Sequence, residues 1–285
     1  MSLDALPPLR DALATHGLMA KKAFGQHFLL DLNITRKIAR LADLAAGDRV
    51  IEVGPGPGGL TRALLETGAQ VTAIETDQRF RPLLEDLAAA APAGALTLKF
   101  GDALVADEAA LMAGAPGHVV SNLPYNVGTA LLIKWLTGPW TPASMTLMFQ
   151  KEVAQRIVAP VDGDAYGRLA VIAQATCSAQ TVMDVPARAF TPPPKVESAV
   201  VRLTPRADRP GPQRLDALQK VTAAAFGQRR KMLRASLKGL GGEPLIAAAG
   251  LDPQARAETV DVAGFLRLAD AWLAARAKLS AGAVA

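Results

Sequence analysis

The sequence predicts an α/β fold: a seven-stranded, mostly parallel sheet with helices on both faces, followed by a small all-α C-terminal domain. Three observations predict it. Seven short runs rich in Val, Ile, Leu and Thr recur between Arg49 and Leu203. Segments of helical period alternate with them. A proline-dense stretch, TPRADRPGPQR at 204–214, then separates this alternation from a purely helical remainder.

The first five strands are RVIEV (49–53), QVTAIE (70–75), ALTLKF (95–100), HVVS (118–121) and SMTLMF (144–149). Helices are predicted over 59–68, 78–90, 128–136 and 168–175. Two further strands, 179–185 and 196–203, flank TPPPK (191–195) and predict an antiparallel ending to the sheet. Beyond the boundary, RLDALQKVTAAAF, RRKMLRASLKGL, PLIAAAG and VAGFLRLADAWLAARAKL each read as helix. The expected domains are a helical or irregular N-terminal arm (1–48), a ligand-binding catalytic domain (49–204) and a helical domain (205–285).

Half of the 285 residues are hydrophobic, enough for a sizeable core. The single cysteine, Cys177, excludes a disulfide framework and a thiolate metal cluster. His16, His27 and His118 lack metal-ligand spacing, so no metal is expected. The most apolar window, 87–98, is too short for a membrane span and holds Pro92 and Gly94. With no signal-peptide pattern at the N-terminus, the chain reads as cytoplasmic, off the membrane, and by default monomeric. Net charge is +5, but residues 205–240 carry +7 and the rest of the chain −2. Basicity this local suits a polyanion, although a charge run alone also describes a solvated helix face.

IEVGPGPGGLT (51–61) follows a strand and opens a helix, with Gly54, Gly56 and Gly59 in G-x-G-x-x-G spacing. Such a loop fits a dinucleotide enzyme or an S-adenosylmethionine enzyme. Three acids discriminate: Glu52, Glu75 at the end of the second strand, and Asp102 after the third. All three project near the carboxyl edge of an open parallel sheet, where ligands bind. An acid after the second strand accepts ribose hydroxyls. The others disfavour a pyrophosphate, which wants donors. They suit a cationic, phosphate-free ligand such as S-adenosylmethionine. A helix cap or salt bridge explains any one acid alone, but not three in register.

The fourth strand delivers Asn122-Leu123-Pro124-Tyr125 to the same edge. The lone pair of adenine N6 is delocalised, so a methylating site helps by accepting both of its N–H bonds. The Asn122 side-chain oxygen offers one acceptor and the Leu123 carbonyl another, aimed by the fixed φ of Pro124. Tyr125 offers a stacking face worth on the order of 1–3 kcal/mol. In isolation the same four residues are explained by Asn122 capping the next helix and Tyr125 packing.

Together, IEVGPGPGGLT, Glu75, GDAL and NLPY resemble the class I, Rossmann-like S-adenosylmethionine-dependent adenine-N6 methyltransferases. KKAFGQHFLLD, FQKEVAQRI, YGRLAV, FTPPPKVESAVVRL and FGQRRKMLRASL narrow the resemblance to the ribosomal RNA adenine dimethyltransferases, closest to their bacterial small-subunit branch. It spans about Lys21 to Leu240. It implies dimethylation of two adjacent adenosines in a hairpin near the 3′ end of 16S rRNA, within an immature small subunit. The implied product is S-adenosylhomocysteine, and the implied role is in subunit biogenesis. It further implies cofactor contacts from His27, Leu29, Gly54, Gly56, Glu75, Asp102 and Asn122. His27 stands where the family commonly has asparagine. Phe190 is implied as a second aromatic against the target base, with core packing as its other reading. Arg229, Arg230, Lys231, Arg234 and Lys238 are implied RNA contacts. On a helix Arg230, Arg234 and Lys238 form one stripe, with Met232, Leu233 and Leu237 on another face. The large-subunit, antibiotic-resistance branch and a non-catalytic RNA-binding relative are the alternatives.

Overall fold

A strand as apolar as RVIEV has to be covered on both faces, and the computed structural model sets it at the middle of a sheet. The structure describes residues 3, 6–18, 27–228 and 230–282. Helix α1 (Leu9–Thr15), strand β1 (Phe28–Leu29) and helix α2 (Leu32–Leu41) lead in. The alternation is β2 (Arg49–Val53), α3 (Gly59–Glu66), β3 (Gln70–Glu75), α4 (Arg81–Ala90), β4 (Leu96–Phe100), α5 (Glu108–Leu111), β5 (His118–Asn122), α6 (Gly128–Thr137) and β6 (Ser144–Gln150). There follow α7 (Lys151–Val158), α8 (Arg168–Thr176), β7 (Cys177–Val185), β8 (Phe190–Thr191) and β9 (Ser198–Pro205). The remaining helices are α9 (Pro212–Gly227), α10 (Leu233–Ser236), α11 (Gly242–Ala248) and α12 (Val262–Gly282).

The main sheet has seven strands in the order β4-β3-β2-β5-β6-β9-β7. Neighbours from β4 to β6 are parallel, and β9 runs antiparallel to β6. Strands β1 and β8 form a separate antiparallel ribbon, with Phe28 opposite Thr191 and Leu29 opposite Phe190. Val50 and Ile51 of β2 and Leu147 and Met148 of β6 are buried, as central strands require. The edge strand β4 alternates instead between intermediate and exposed residues.

Within the segment read as an arm, α2 is a capped helix. Asp31 Oδ1 accepts from the Asn33 amide at 2.8 Å, and the buried face carries Thr35, Ile38 and Ala39. Helix α7 also had no counterpart among the predicted elements.

The chain forms two units. One comprises the described residues of Met1–Lys134, Trp140–Ala154 and Gln180–Thr204; the other comprises those of Trp135–Pro139, Gln155–Ala179 and Pro205–Ala285. The second unit packs Leu215, Leu218, Val221, Leu233, Leu237, Ile246, Phe265 and Leu268 into a core of its own. Tyr166 anchors there through a 2.9 Å hydrogen bond from its hydroxyl to the Val260 carbonyl. No helix among the described residues is long and apolar enough to cross a membrane.

The predicted helix over 229–240 is corrected. Helix α9 ends at Gly227, α10 spans four residues, and Lys238–Leu240 is a single 3-10 turn. Met232 is extended (φ −66°, ψ 155°) and bridges Arg256. The Leu233 amide donates to Ala255 O at 2.8 Å and the Arg234 amide to Pro253 O at 3.0 Å. These donors face another chain segment, so no helix continues through Met232, and Arg230, Arg234 and Lys238 do not share one helical stripe. Leu233 and Leu237 are buried as expected, whereas Met232 is exposed. Arg229 lies outside the described residues.

Lys134 on α6 donates to the carbonyls of Ala103 (2.9 Å) and Ala106 (2.6 Å) and to Glu108 Oε1 (2.8 Å), pinning the segment after β4. The Glu108 carboxylate is buried. Lys134→Met takes the ammonium away from that carboxylate and should cost roughly 3 kcal/mol. Arg36→Met breaks an exposed pair with Glu66 and should cost less than about 1 kcal/mol. Urea denaturation of the two variants checks this; equal losses would contradict it.

Candidate active site

Strand order reverses around β2, with β3 and β4 on one side and β5 and β6 on the other. Ladder pairing between β2 and β5 is confined to Val50 with His118 and Ile51 with Val119. Further on, the Ser121 hydroxyl donates to the Val53 carbonyl at 2.6 Å. Carboxyl ends of strands at such a reversal open into a crevice. Here a cavity of about 520 Å³ is lined by residues 27–29, Glu52, residues 54–57, Gly59, Leu60, Glu75, Phe80 and residues 122–126, with Thr35 of α2. That volume lies within the usual range for small-molecule sites.

The glycine loop crosses the end of β2. Gly54 has φ +69°, and a Cβ there would lie 3.3 Å from Pro124 Cγ. The loop and the Asn-Leu-Pro-Tyr turn therefore share one wall. Gly59 opens α3 so close to the arm that a Cβ would lie 2.9 Å from the Leu29 carbonyl oxygen.

Glu75 is buried, and both of its oxygens are held by backbone donors. Oε1 accepts from the Asp77 amide at 2.8 Å and Oε2 from the Gly56 amide at 3.0 Å. Burial raises its carboxyl above the ordinary carboxylate value, and those two amides oppose the rise. Each carboxylate oxygen keeps a lone pair for a further donor. Glu52 is 1% exposed, and its Oε2 accepts from the Thr61 hydroxyl at 2.6 Å.

Asn122 ends β5, and its side-chain amide has no hydrogen-bond partner among the described residues. The turn after it closes on the Pro124 carbonyl, which accepts from the amides of Val127 (3.2 Å) and Gly128 (3.0 Å). The Leu123 carbonyl is left unbonded among the described residues. The Tyr125 hydroxyl shares a 2.8 Å hydrogen bond with Ser198 Oγ, and burial raises its pKa. The ring lies 6.1 Å from that of His27, tilted by 31°. His27 Nδ1 is 2.7 Å from the Pro192 carbonyl oxygen.

Of the site residues read from sequence, His27, Leu29, Gly54, Gly56, Glu75, Asn122, Leu123, Pro124 and Tyr125 all line this one cavity. Asp102 and Phe190 do not line it. The Asp102 carboxylate is exposed and accepts from the Leu104 amide at 2.8 Å. The Phe190 ring is 3% exposed, in a core with Leu29, Leu60 and Val185. Arg230, Lys231, Arg234 and Lys238 are exposed residues of the second unit. The sequence reading missed Phe28 and Phe80, whose rings meet edge-to-face at 5.6 Å in the cavity wall. An aromatic shortly after the acid of β3 was the available signal for Phe80.

A family model described as ribosomal RNA adenine dimethylase matches residues 17–273. The ribosomal RNA small subunit methyltransferase A of Phenylobacterium zucineum is 80% identical over 97% of this chain and 96% of its own. The protein of the same name from Caulobacter vibrioides is 70% identical over 90% and 98%. Among solved structures, a dimethyladenosine transferase from Plasmodium falciparum matches with a TM-score of 0.70 at 26% identity, covering 85% of this chain and 96% of that one. The 23S rRNA methyltransferase ErmE matches with a TM-score of 0.65 at 28% identity, covering 86% and 99%.

Burial pushes the Glu52 carboxyl up to about 8, against the Thr61 hydrogen bond and with help from the Glu75 charge. Its folded pKa thus exceeds the ordinary value of 4.5. The resulting stabilisation is present below that value and is lost as pH rises through about 8. Glu52→Gln is neutral throughout. Relative to the wild type, it should gain more than about 1 kcal/mol in stability between pH 5 and pH 9. Urea denaturation across that range measures it. A constant difference would mean that Glu52 is already ionised at neutral pH.

Proposed function

The chain belongs to the ribosomal RNA adenine dimethylase family, and on that premise we propose that it transfers methyl groups from S-adenosylmethionine to N6 of two adjacent adenosines in a hairpin near the 3′ end of 16S rRNA. The observation that carries this reading is the shared wall of the glycine loop and the Asn-Leu-Pro-Tyr turn, with Gly54 against Pro124. High identity to small-subunit methyltransferases over nearly whole chains supports the small subunit as the place of action.

The cavity suits the cofactor. It is lined by two carboxylates and, among its described residues, by no lysine or arginine. That is the wrong chemistry for a pyrophosphate and the right one for a cation. Bound there, S-adenosylmethionine supplies a methyl group on a sulfonium and leaves as the neutral thioether S-adenosylhomocysteine. Glu75 accepts the ribose hydroxyls on its spare lone pairs, and Gly54 and Gly56 let the backbone lie close; a contact of Asp102 with the adenine amino group rests on the resemblance of GDAL alone. His27 and Leu29 cover the cofactor from the arm. Asn122 Oδ1 and the Leu123 carbonyl, both unbonded among the described residues, accept the two N–H bonds of the target amine, and Pro124 fixes the direction of the latter. Tyr125, held through Ser198, presents its ring to the base. A stacking role for Phe190 rests on the resemblance of FTPPPK alone. No strong general base is needed, because the amine becomes acidic on methylation. Catalysis is positioning plus oriented dipoles.

Residues 205–285 serve as the RNA-binding domain, with Arg230, Lys231, Arg234 and Lys238, and Arg229 beside them in sequence, as phosphate contacts. The protein acts as a monomer on immature small subunits, and that substrate sets its place in the cytoplasm.

Labelled methyl transfer into under-methylated small subunits tests the reading, with large subunits as the comparison acceptor. Incorporation at about four methyl groups per small subunit is expected; none, or transfer to the large subunit only, would contradict it. Arg230→Ala with Arg234→Ala should weaken RNA binding and flatten the log K against log salt slope by roughly 1–2. Unchanged binding and slope would remove those arginines from the RNA contact.

A further inference from the structure

The cavity holds two acids with different tethers. Glu75 is fixed by two backbone amides, which favour its ionised form. Glu52 sits deeper, 1% exposed, with one hydroxyl hydrogen bond on Oε2. Among the described residues, the groups lining the wall around it include no lysine or arginine. From β3 comes Glu75; from the arm, His27; from the turn after β5, Tyr125; α2 contributes Thr35, and β5 contributes Asn122. Next to Thr61 on α3 lies Arg62, whose Nη1 donates instead to the Pro7 carbonyl at 2.9 Å. A buried acid in a wall whose described residues include no lysine or arginine takes its charge state from whatever fills the cavity.

On the reading proposed above, the two ligands of this cavity differ by one methyl and one positive charge. The donor is a sulfonium, the product a neutral thioether, and their nucleoside and amino-acid parts are the same. We infer that Glu52 tells donor from product by charge: it releases its proton to solvent as the sulfonium enters and takes one back when the thioether is left. Ionised Glu52 holds the donor by charge attraction. With the product, the buried carboxyl returns to its neutral form, and that part of the affinity is gone. Glu52 is thus a specificity-determining residue for the cofactor, separate from the groups that hold the target base.

The pH signature has a definite sign. Free Glu52 is neutral below about 8. Donor binding that drives off one proton must therefore strengthen as pH rises, by up to about tenfold per pH unit, and level off above that value. Product binding lacks this slope. Titration of the amino-acid part is common to both ligands and drops out of the comparison.

Titration calorimetry of the full chain with S-adenosylmethionine and S-adenosylhomocysteine, at pH 7 in buffers of different ionisation enthalpy, counts the protons. The wild type should release close to one proton more with the donor than with the product. Glu52→Gln should abolish the difference and make the donor-to-product affinity ratio independent of pH. His27→Ala, which removes the imidazole of the wall, should leave the difference intact. Equal proton counts in the wild type, a difference surviving in Glu52→Gln, or one lost in His27→Ala would each overturn the inference while leaving the cofactor reading standing. Failure of either ligand to bind the wild type would overturn the cofactor reading and this inference together.

Discussion

The separation of β2 from β5 is the constraint on which the site depends. The two strands share a short parallel ladder at Val50 and Ile51. Past it, the Ser121 hydroxyl on the Val53 carbonyl holds the two ends together at one point. Glycine at position 54 lets the loop from β2 pass against Pro124 in the turn from β5. A side chain at 54 would push the two apart and would also have to tolerate a left-handed backbone. The glycine loop and the Asn-Leu-Pro-Tyr turn are close because two neighbouring parallel strands end there and the residues between them are small or cyclic.

The electrostatics follow from the same arrangement. Parallel strands deliver Glu52 and Glu75 to one cavity, and the described lining supplies no compensating cation. Burial raises both carboxyls, but backbone amides from the 54–56 loop and from Asp77 resist that rise at Glu75, whereas Glu52 has only a hydroxyl. On the proposed reading, Glu75 is held ready for neutral donors, the ribose hydroxyls, while Glu52 answers to net charge. A ligand bearing a sulfonium fits the pair better than a phosphate ester does.

Much of this was legible in the sequence, for identifiable reasons. The central strands could be read because Val50, Ile51 and their neighbours are apolar on both faces. Gly54 and the Asn-Leu-Pro-Tyr turn could be read because few residue types satisfy such backbone and chemistry together. What depends on distant chain segments could not be read. Residues 229–240 have a helical pattern, but the backbone donors of Leu233 and Arg234 find carbonyls at 253–255. The aromatic contact of Phe28 with Phe80 joins residues 52 positions apart. Asp102 and Phe190 were read from motif position, yet a local amide holds the one and a packed core the other. Position along a strand specifies the edge a residue reaches, not what its side chain turns toward.

The central claim concerns Asn122, whose amide has no partner among the described residues although it stands in a wall where most polar groups are engaged. Single-turnover methyl transfer to under-methylated small subunits by Asn122→Ala, with cofactor affinity measured in parallel, tests it most directly. Transfer should fall by roughly 10²–10³-fold while the affinity for S-adenosylmethionine changes only a few-fold. Transfer near the wild-type rate would show that the amine is not gripped at this turn.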